Sequence, residues 1–317
     1  MIGIRVNDID IQVKAGITIL EACRQLNIKI PTFCHDDRLK PHGSCRICVV
    51  EVEKRKKLVT SCTEIVKENM VIHTHSKRVM KARKEILELM WGDHDNDCLS
   101  CLKAGNCDLQ DYCFEYGVEA STSEYQLNYE GRYDETNNFY TIDRDKCILC
   151  GKCSRMCNQL HGSKAIGFIG RSNEMHIAHP FGTGMEFSSC VSCGNCVTVC
   201  PTGALMESKK KDFRTWDVEK KVRTTCLYCG VGCQIDLSVK ANKVLSVAPA
   251  IDAVNKGLLC VKGKFVYNFI GHPDRLKTPL IRKNGVLVEC SWDEAYDVIV
   301  DKIMEIKTNC GSNAFGA

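Results

Sequence analysis

Apolar and polar residues alternate from the first positions of the chain: Ile2, Ile4 and Val6, then Ile9, Ile11 and Val13. Asn7 and Asp8 sit between the two runs, so this period-two pattern predicts a β-hairpin. Thr18 and Glu21 follow with the T-x-x-E spacing of a capping box and open a short helix. Further on the period changes. Val79, Met80, Arg83, Ile86, Leu87 and Met90 recur at helical spacing, which predicts a helix ending near Trp91 and Gly92. Ser291 and Glu294 repeat the capping-box spacing ahead of a second long helix, with Ala295, Val298, Ile299, Ile303 and Ile306 on one face.

Composition narrows the class. The chain has 317 residues, 44% hydrophobic and 26% charged, which describes a globular chain rather than a disordered one. No run reaches the roughly 18 apolar residues of a membrane span. The start lacks a basic region followed by an apolar run, so no secretory signal is read there. A net charge of +4 is too small to argue for nucleic acid. The unusual count is cysteine, 23 residues in all. A cytoplasmic, reducing location is expected, where dense cysteine means metal ligation before it means disulfides.

The cysteines fall into five groups. Cys34, Cys45, Cys48 and Cys62 form the first. His94, Cys98, Cys101 and Cys107 form the second, with a histidine leading. Cys147, Cys150, Cys153 and Cys157 have the spacing C-x2-C-x2-C-x3-C. Cys190, Cys193, Cys196 and Cys200 repeat it, with Pro201 following. Cys226, Cys229, Cys233 and the distant Cys260 form the fifth. Cys23, Cys113, Cys290 and Cys310 are left over as plain thiols.

The doubled run is the ferredoxin pattern for two 4Fe-4S clusters. Three closely spaced cysteines wrap one cluster while the fourth points away to the other. Cys147, Cys150, Cys153 and Cys200 are therefore assigned to one cluster, and Cys190, Cys193, Cys196 and Cys157 to its neighbour. Asn158, where proline often follows, is a minor departure. The first group follows a hairpin and a helix, which describes a β-grasp ferredoxin with a 2Fe-2S cluster. Zinc on a ubiquitin-like fold is the alternative. The second group alone suits zinc; between iron–sulfur modules it reads as a 4Fe-4S site with one imidazole ligand. In the fifth group, Gly230 and Gly232 let backbone approach cluster sulfurs closely.

In this order the motifs resemble the electron-input domains of iron-only hydrogenases and of NAD(P)-linked formate dehydrogenases. C-L-Y-C-G-V-G-C at 226–233 with G-L-L-C-V-K-G at 257–263 resembles the 4Fe-4S domain opening the molybdopterin oxidoreductase family. The resemblance implies that Lys262, between cluster and pterin, is the cofactor-binding residue that helps electrons across. The large G subunit of NADH:quinone oxidoreductases is similar over residues 1–119 and around 226–260. It is expected to lack the two-cluster module at 147–200, which favours the electron-relay half of a formate dehydrogenase alpha subunit; a non-catalytic relay subunit resembling the G subunit, or another pterin oxidoreductase such as a nitrate reductase, is the alternative.

The fold class expected is α+β: a string of small iron–sulfur modules leading into an α/β pterin-binding domain. The modules are 1–78 (β-grasp), 79–119 (histidine-ligated), a linker at 120–139, 140–210 (two-cluster ferredoxin), 219–275 (4Fe-4S) and 276–317 (start of the pterin domain). Lys209, Lys210 and Lys211 mark a solvated boundary. Gly182-Thr183-Gly184 has no further glycine in register and is not read as a nucleotide loop. The expected cofactors are one 2Fe-2S cluster, four 4Fe-4S clusters and, in a longer protein, Mo- or W-bis(molybdopterin guanine dinucleotide). No catalytic residue is assigned within the chain, because the resemblance places the metal-pterin site beyond Ala317. The expected partners are flavin and NAD(P) iron–sulfur subunits, ferredoxin or hydrogenase subunits in a hetero-oligomeric complex.

Overall fold

The N-terminal hairpin forms as its alternation dictates. In the computed structural model, β1 (Ile2–Val6) pairs antiparallel with β2 (Ile9–Val13) in the register Ile4↔Ile11. Asn7 turns the chain with φ +52°, a conformation asparagine tolerates. The structure describes residues 1–119, 132–208 and 213–315. Helix α1 (Ile19–Gln25) opens on the expected capping box: Thr18 Oγ1 accepts from the Glu21 amide, and Glu21 accepts from the Thr18 amide. Its buried face, Ile19, Leu20, Ala22 and Cys23, packs against the sheet. Strands β3 (Val49–Val52), β4 (Val59–Thr60) and β5 (Met70–His73) complete a five-stranded sheet, ordered β2-β1-β5-β3-β4. β5 runs parallel to β1, giving the β-grasp arrangement.

Helix α2 (Lys77–Gly92) starts at the N-cap Ser76 and buries Val79, Arg83 and Leu87. The fully buried Arg83 guanidinium donates to the Val49 carbonyl and to the Tyr116 hydroxyl. α3 (Asp108–Glu115) follows the second cysteine loop. Of the linker expected at 120–139, residues 120–131 lie outside the described ones, and β6 (Tyr133–Asp134) pairs with β7 (Tyr140–Asp143).

The ferredoxin module is built as a repeat. Short helices α4 (Lys152–Arg155) and α5 (Asn195–Val199) each follow a cysteine loop, and β10 (Leu205–Glu207) closes on β7. A small hairpin, β8 (Gly167–Ile169) with β9 (His176–Ala178), lies between the repeats. Beyond it, β11 (Lys220–Thr225), β12 (Gln234–Lys240) and β13 (Lys243–Pro249) form an antiparallel sheet, followed by α6 (Val261–Phe265). Lys209, Lys210 and Lys211 are outside the described residues.

The string of small modules packs together. Residues Met1–Tyr267 form one unit. Phe33, Cys34 and Cys45 share a buried apolar cluster with Leu87, Cys107, Cys113 and Cys150, so one core serves three modules. Small iron–sulfur modules bury too little surface alone to be stable, and pooling their cores meets that deficit.

Residues Asn268–Ala317 form a second unit. It contains the hairpin β14 (Leu280–Lys283) and β15 (Val286–Glu289), then α7 (Trp292–Cys310). Two expectations change here. Ser291 Oγ accepts from the Glu294 amide, but the Glu294 carboxylate pairs with Lys283 at 2.6 Å instead of reaching back to complete a capping box. Of the apolar face assigned to α7, only Ala295 is buried; Val298, Ile299 and Ile303 are exposed.

Candidate metal centres

The four thiols of the first group converge in the β-grasp module, and all are buried. The Cys34 amide donates to Cys45 Sγ at 3.4 Å, and the Sγ atoms of Cys48 and Cys62 lie 3.3 Å apart. Hydrogen bonds among the four split their acidities. Cys45 donating to it pulls the Cys34 thiol well down, and Cys62 donating to it brings Cys48 to about 7; the donors Cys45 and Cys62 are pushed up. Thiols crowded in this way favour a bound cation that neutralises several thiolates at once.

The two ferredoxin loops have the same backbone. Leu149 and Gly151 adopt φ +52° and +68°, and Ser192 and Gly194 adopt φ +52° and +73°. These left-handed residues curl each C-x2-C segment around a cavity. One cavity is lined by Cys147, Cys150, Cys153 and Cys200. A second is lined by Cys157, Cys190, Cys193 and Cys196. In each, three cysteines come from one repeat and the fourth from the other. Cys157 lies on a π-helical turn, Met156–His161, which carries it away from its own loop. Apolar Ile142, Ile177 and Leu205 complete the first wall.

Burial pushes Cys147 up to about 12 and Cys150 to about 11, and it also drives Cys153 and Cys196 well above the ordinary thiol value. The chemistry of the donor set fits a cationic cluster core: four soft sulfurs around a small cavity, poor at ionising without one. Among the described residues, no group of three or more His, Cys, Asp or Glu has the arrangement of a single-ion site. The thiols ring cavities instead.

Around the second cavity the Ala165 amide donates to Cys157 Sγ at 3.3 Å and the Ser192 amide to Cys190 Sγ at 3.4 Å. Two side chains join them there. Asn195 Nδ2 donates to Cys193 Sγ at 3.3 Å, and the buried Tyr140 hydroxyl lies 3.4 Å from Cys190 Sγ.

His94 is buried at the end of α2, its ring 6.0 Å from Trp91 and nearly parallel to it. Burial lowers its pKa to about 4, so the ring is neutral at pH 7. Its Nδ1 has no hydrogen-bond partner among the described residues, as a nitrogen held ready for a metal would. Cys107 is buried and Cys98 and Cys101 are half-buried. Their loop docks on the ferredoxin repeat: the Asp108 amide donates to the Pro201 carbonyl, and Lys103 Nζ to the Cys200 carbonyl. Lys146 bridges Asp143 and Asp95 at the same junction.

The fifth group is the most open, with Cys229 and Cys260 exposed. The Cys226 amide donates to the Cys233 carbonyl at 2.8 Å. Gly263 brings α6 so close that an added Cβ would sit 3.6 Å from Cys226 Sγ. Lys262 is exposed, with Nζ 5.9 Å above the Tyr228 ring, and so folds back over the cysteine loop. Spacing alone did not single out Asn195, Tyr140 or Lys264. Their polarity within apolar surroundings shows only once the fold buries them.

Five family models match in succession. They are described as a 2Fe-2S iron-sulfur cluster binding domain (residues 1–77), the NADH-ubiquinone oxidoreductase-G iron-sulfur binding region (83–122), the ferredoxin-like domain of NADH-quinone oxidoreductase subunit 3 (138–206), the molybdopterin oxidoreductase Fe4S4 domain (219–272) and molybdopterin oxidoreductase (275–317). The chain is 34% identical over 308 residues to a G subunit of NADH-quinone oxidoreductase from Rhizobium meliloti, covering 96% of this chain and 35% of that one. It is 34% identical over 319 residues to the NADPH-Fe(3+) oxidoreductase subunit alpha of Geobacter sulfurreducens, covering 99% and 36%. A Staphylococcus haemolyticus chain provisionally named a formate dehydrogenase is 32% identical over 345 residues, covering 96% and 35%. The crystal structure of an NAD+-reducing [NiFe]-hydrogenase superposes with a TM-score of 0.59 at 26% identity, covering 65% of this chain and 87% of that one.

The chain thus spans about a third of the length of these curated relatives. One expectation is overturned. The ferredoxin segment matches a model from NADH-quinone oxidoreductase, and the Rhizobium G subunit aligns across 96% of the chain. That module therefore does not separate formate dehydrogenases from the G subunits of NADH-quinone oxidoreductases.

Proposed function

We propose that this chain, a series of iron–sulfur domains leading into a molybdopterin oxidoreductase domain, is an electron relay within a multi-subunit oxidoreductase linked to NADH or NADPH. The observation that carries this reading is the pair of four-cysteine cavities with exchanged fourth ligands. The 2Fe-2S cluster is assigned to Cys34, Cys45, Cys48 and Cys62. Four 4Fe-4S clusters are assigned to His94 with Cys98, Cys101 and Cys107; to the two ferredoxin cavities; and to Cys226, Cys229, Cys233 and Cys260. Iron–sulfur clusters supply one-electron chemistry over a wide range of potentials. The chain's own part is to hold the ligands at fixed spacing, exclude water with apolar walls, and bias each site with N–H donors to sulfur. Lys262 is assigned to the outlet of the fifth site. The partner is a flavin and NAD(P) subunit, a hydrogenase module or a ferredoxin, and the setting is the cytoplasm; no helix among the described residues is long and apolar enough to cross a membrane.

A second reading, favoured by the Staphylococcus relative, is reversible oxidation of formate to carbon dioxide, a proton and two electrons. It requires a molybdenum or tungsten pterin site in the whole protein. Metal analysis of anaerobically purified protein tests both. The relay reading expects about 18 iron atoms per chain, from one 2Fe-2S and four 4Fe-4S clusters. Molybdenum or tungsten near one per chain supports the formate reading, and iron without either supports a pure relay. Zinc in place of iron overturns both.

A further inference from the structure

Between the ferredoxin repeat and the fifth cysteine group lies a buried polar side chain, Asn195, 5% exposed. It directly follows Gly194, whose φ of +73° leaves room for no side chain: an added Cβ would lie 2.6 Å from the Phe265 ring. That close approach presses the second ferredoxin loop against the Leu259–Phe265 segment. The Asn195 carboxamide then bonds both within its own loop and across the junction. Nδ2 donates to Cys193 Sγ at 3.3 Å and to the Leu259 carbonyl at 3.2 Å. Oδ1 accepts from the Leu259 amide at 3.1 Å. Leu259 is covalently joined to Cys260, so one amide links a cysteine of one candidate centre to the residue beside a cysteine of the next.

Such an arrangement has two physical consequences. A hydrogen bond to a cluster sulfur stabilises the extra negative charge of the reduced state and raises the potential. The paired bonds to Leu259 also act like a piece of β-ladder and fix the distance between the two cysteine loops. No other described side chain bonds both to a sulfur and to the backbone of the fifth-site segment. We propose that Asn195 is a positioning residue for the relay: it raises the potential of the site at Cys157, Cys190, Cys193 and Cys196, and it locks that site against the one holding Cys260. The inference rests on the reading of these cysteines as cluster ligands. Iron content and the EPR spectrum of the unaltered protein test that reading separately.

The experiment is an EPR redox titration of the complete, iron-loaded protein. In Asn195→Leu the midpoint potential of the Cys190 site falls, and the magnetic broadening between it and the Cys226 site weakens. Asn195→Asp keeps the volume and an acceptor for the Leu259 amide but loses the donor to sulfur. It lowers the same potential while the broadening persists, and it carries the test where the leucine variant fails to load iron. Potentials of the Cys34 and His94 sites stay put in both. An unchanged Cys190-site potential in the iron-loaded variants overturns the proposal, as does an equal shift at every site.

Discussion

Lys264 donates from Nζ to Glu207 Oε1 at 2.5 Å, and both side chains are buried. Lys264 lies on α6, four residues past Cys260, while Glu207 ends the β10 strand of the ferredoxin fold. A second donation, to the Val247 carbonyl at 2.6 Å, ties the same ammonium to β13. Three pieces of the molecule therefore meet on one charge. Glu207→Ala strands that charge away from water and should cost roughly 3–5 kcal/mol. The double variant Glu207→Leu with Lys264→Met should recover most of the loss. Urea denaturation of the iron-loaded protein measures both.

Exchange of the fourth ligands makes a sharper forecast. Cys157 follows Cys153 in sequence but lines the cavity of Cys190, Cys193 and Cys196. Cys157→Ala should remove the EPR signal of that centre and spare the one at Cys147, Cys150 and Cys153. Loss confined to the latter would refute the assignment.

Arg83 is fully buried, and among the described residues no carboxylate lies within ion-pair distance of it. It satisfies the Val49 carbonyl, next to Cys48, and the Tyr116 hydroxyl. Arg83→Met leaves both oxygens without their donor, at about 1–3 kcal/mol for each buried group left unsatisfied. The expected result is a lower urea midpoint with the β-grasp hairpin still formed, read by circular dichroism.

Acid should weaken the fold through His94. Burial holds its pKa near 4 in the fold, against 6.5 for a free imidazole. Below pH 6.5 the unfolded chain takes up a proton that the folded chain refuses, so stability falls from pH 6.5 down to about 4 and is unaffected above. A metal bound by the ring would act in the same direction. His94→Asn should flatten this slope, seen as urea midpoints that change less between pH 7.5 and 5.

What was legible in the sequence is what local chemistry controls. The hairpin at Asn7, the capping box at Thr18 and the five ligand groups all follow from short-range patterns. The spacing also led to the grouping of Cys157 with Cys190, Cys193 and Cys196, and these four line one cavity. Long-range partners were not. Glu294 has the right spacing to cap α7, yet Lys283 captures it from the preceding hairpin. Asn195 looks like any residue between two cysteines until Leu259 arrives from 64 positions away. Lys262 drew notice from its motif, whereas Lys264, two residues on, is the buried lysine that joins modules.

The apolar cluster that gathers Cys34, Cys45, Cys107 and Cys150 also bears on how the protein is made. A chain leaving the ribosome completes its hairpin early, but the wall around its first thiols needs Leu87, Leu109 and Cys150 as well. Until residue 150 has emerged, the wall beside Cys34 and Cys45 is incomplete, whereas Cys48 and Cys62 already have theirs within the β-grasp core. The two halves of one thiol group are therefore enclosed at different stages of synthesis.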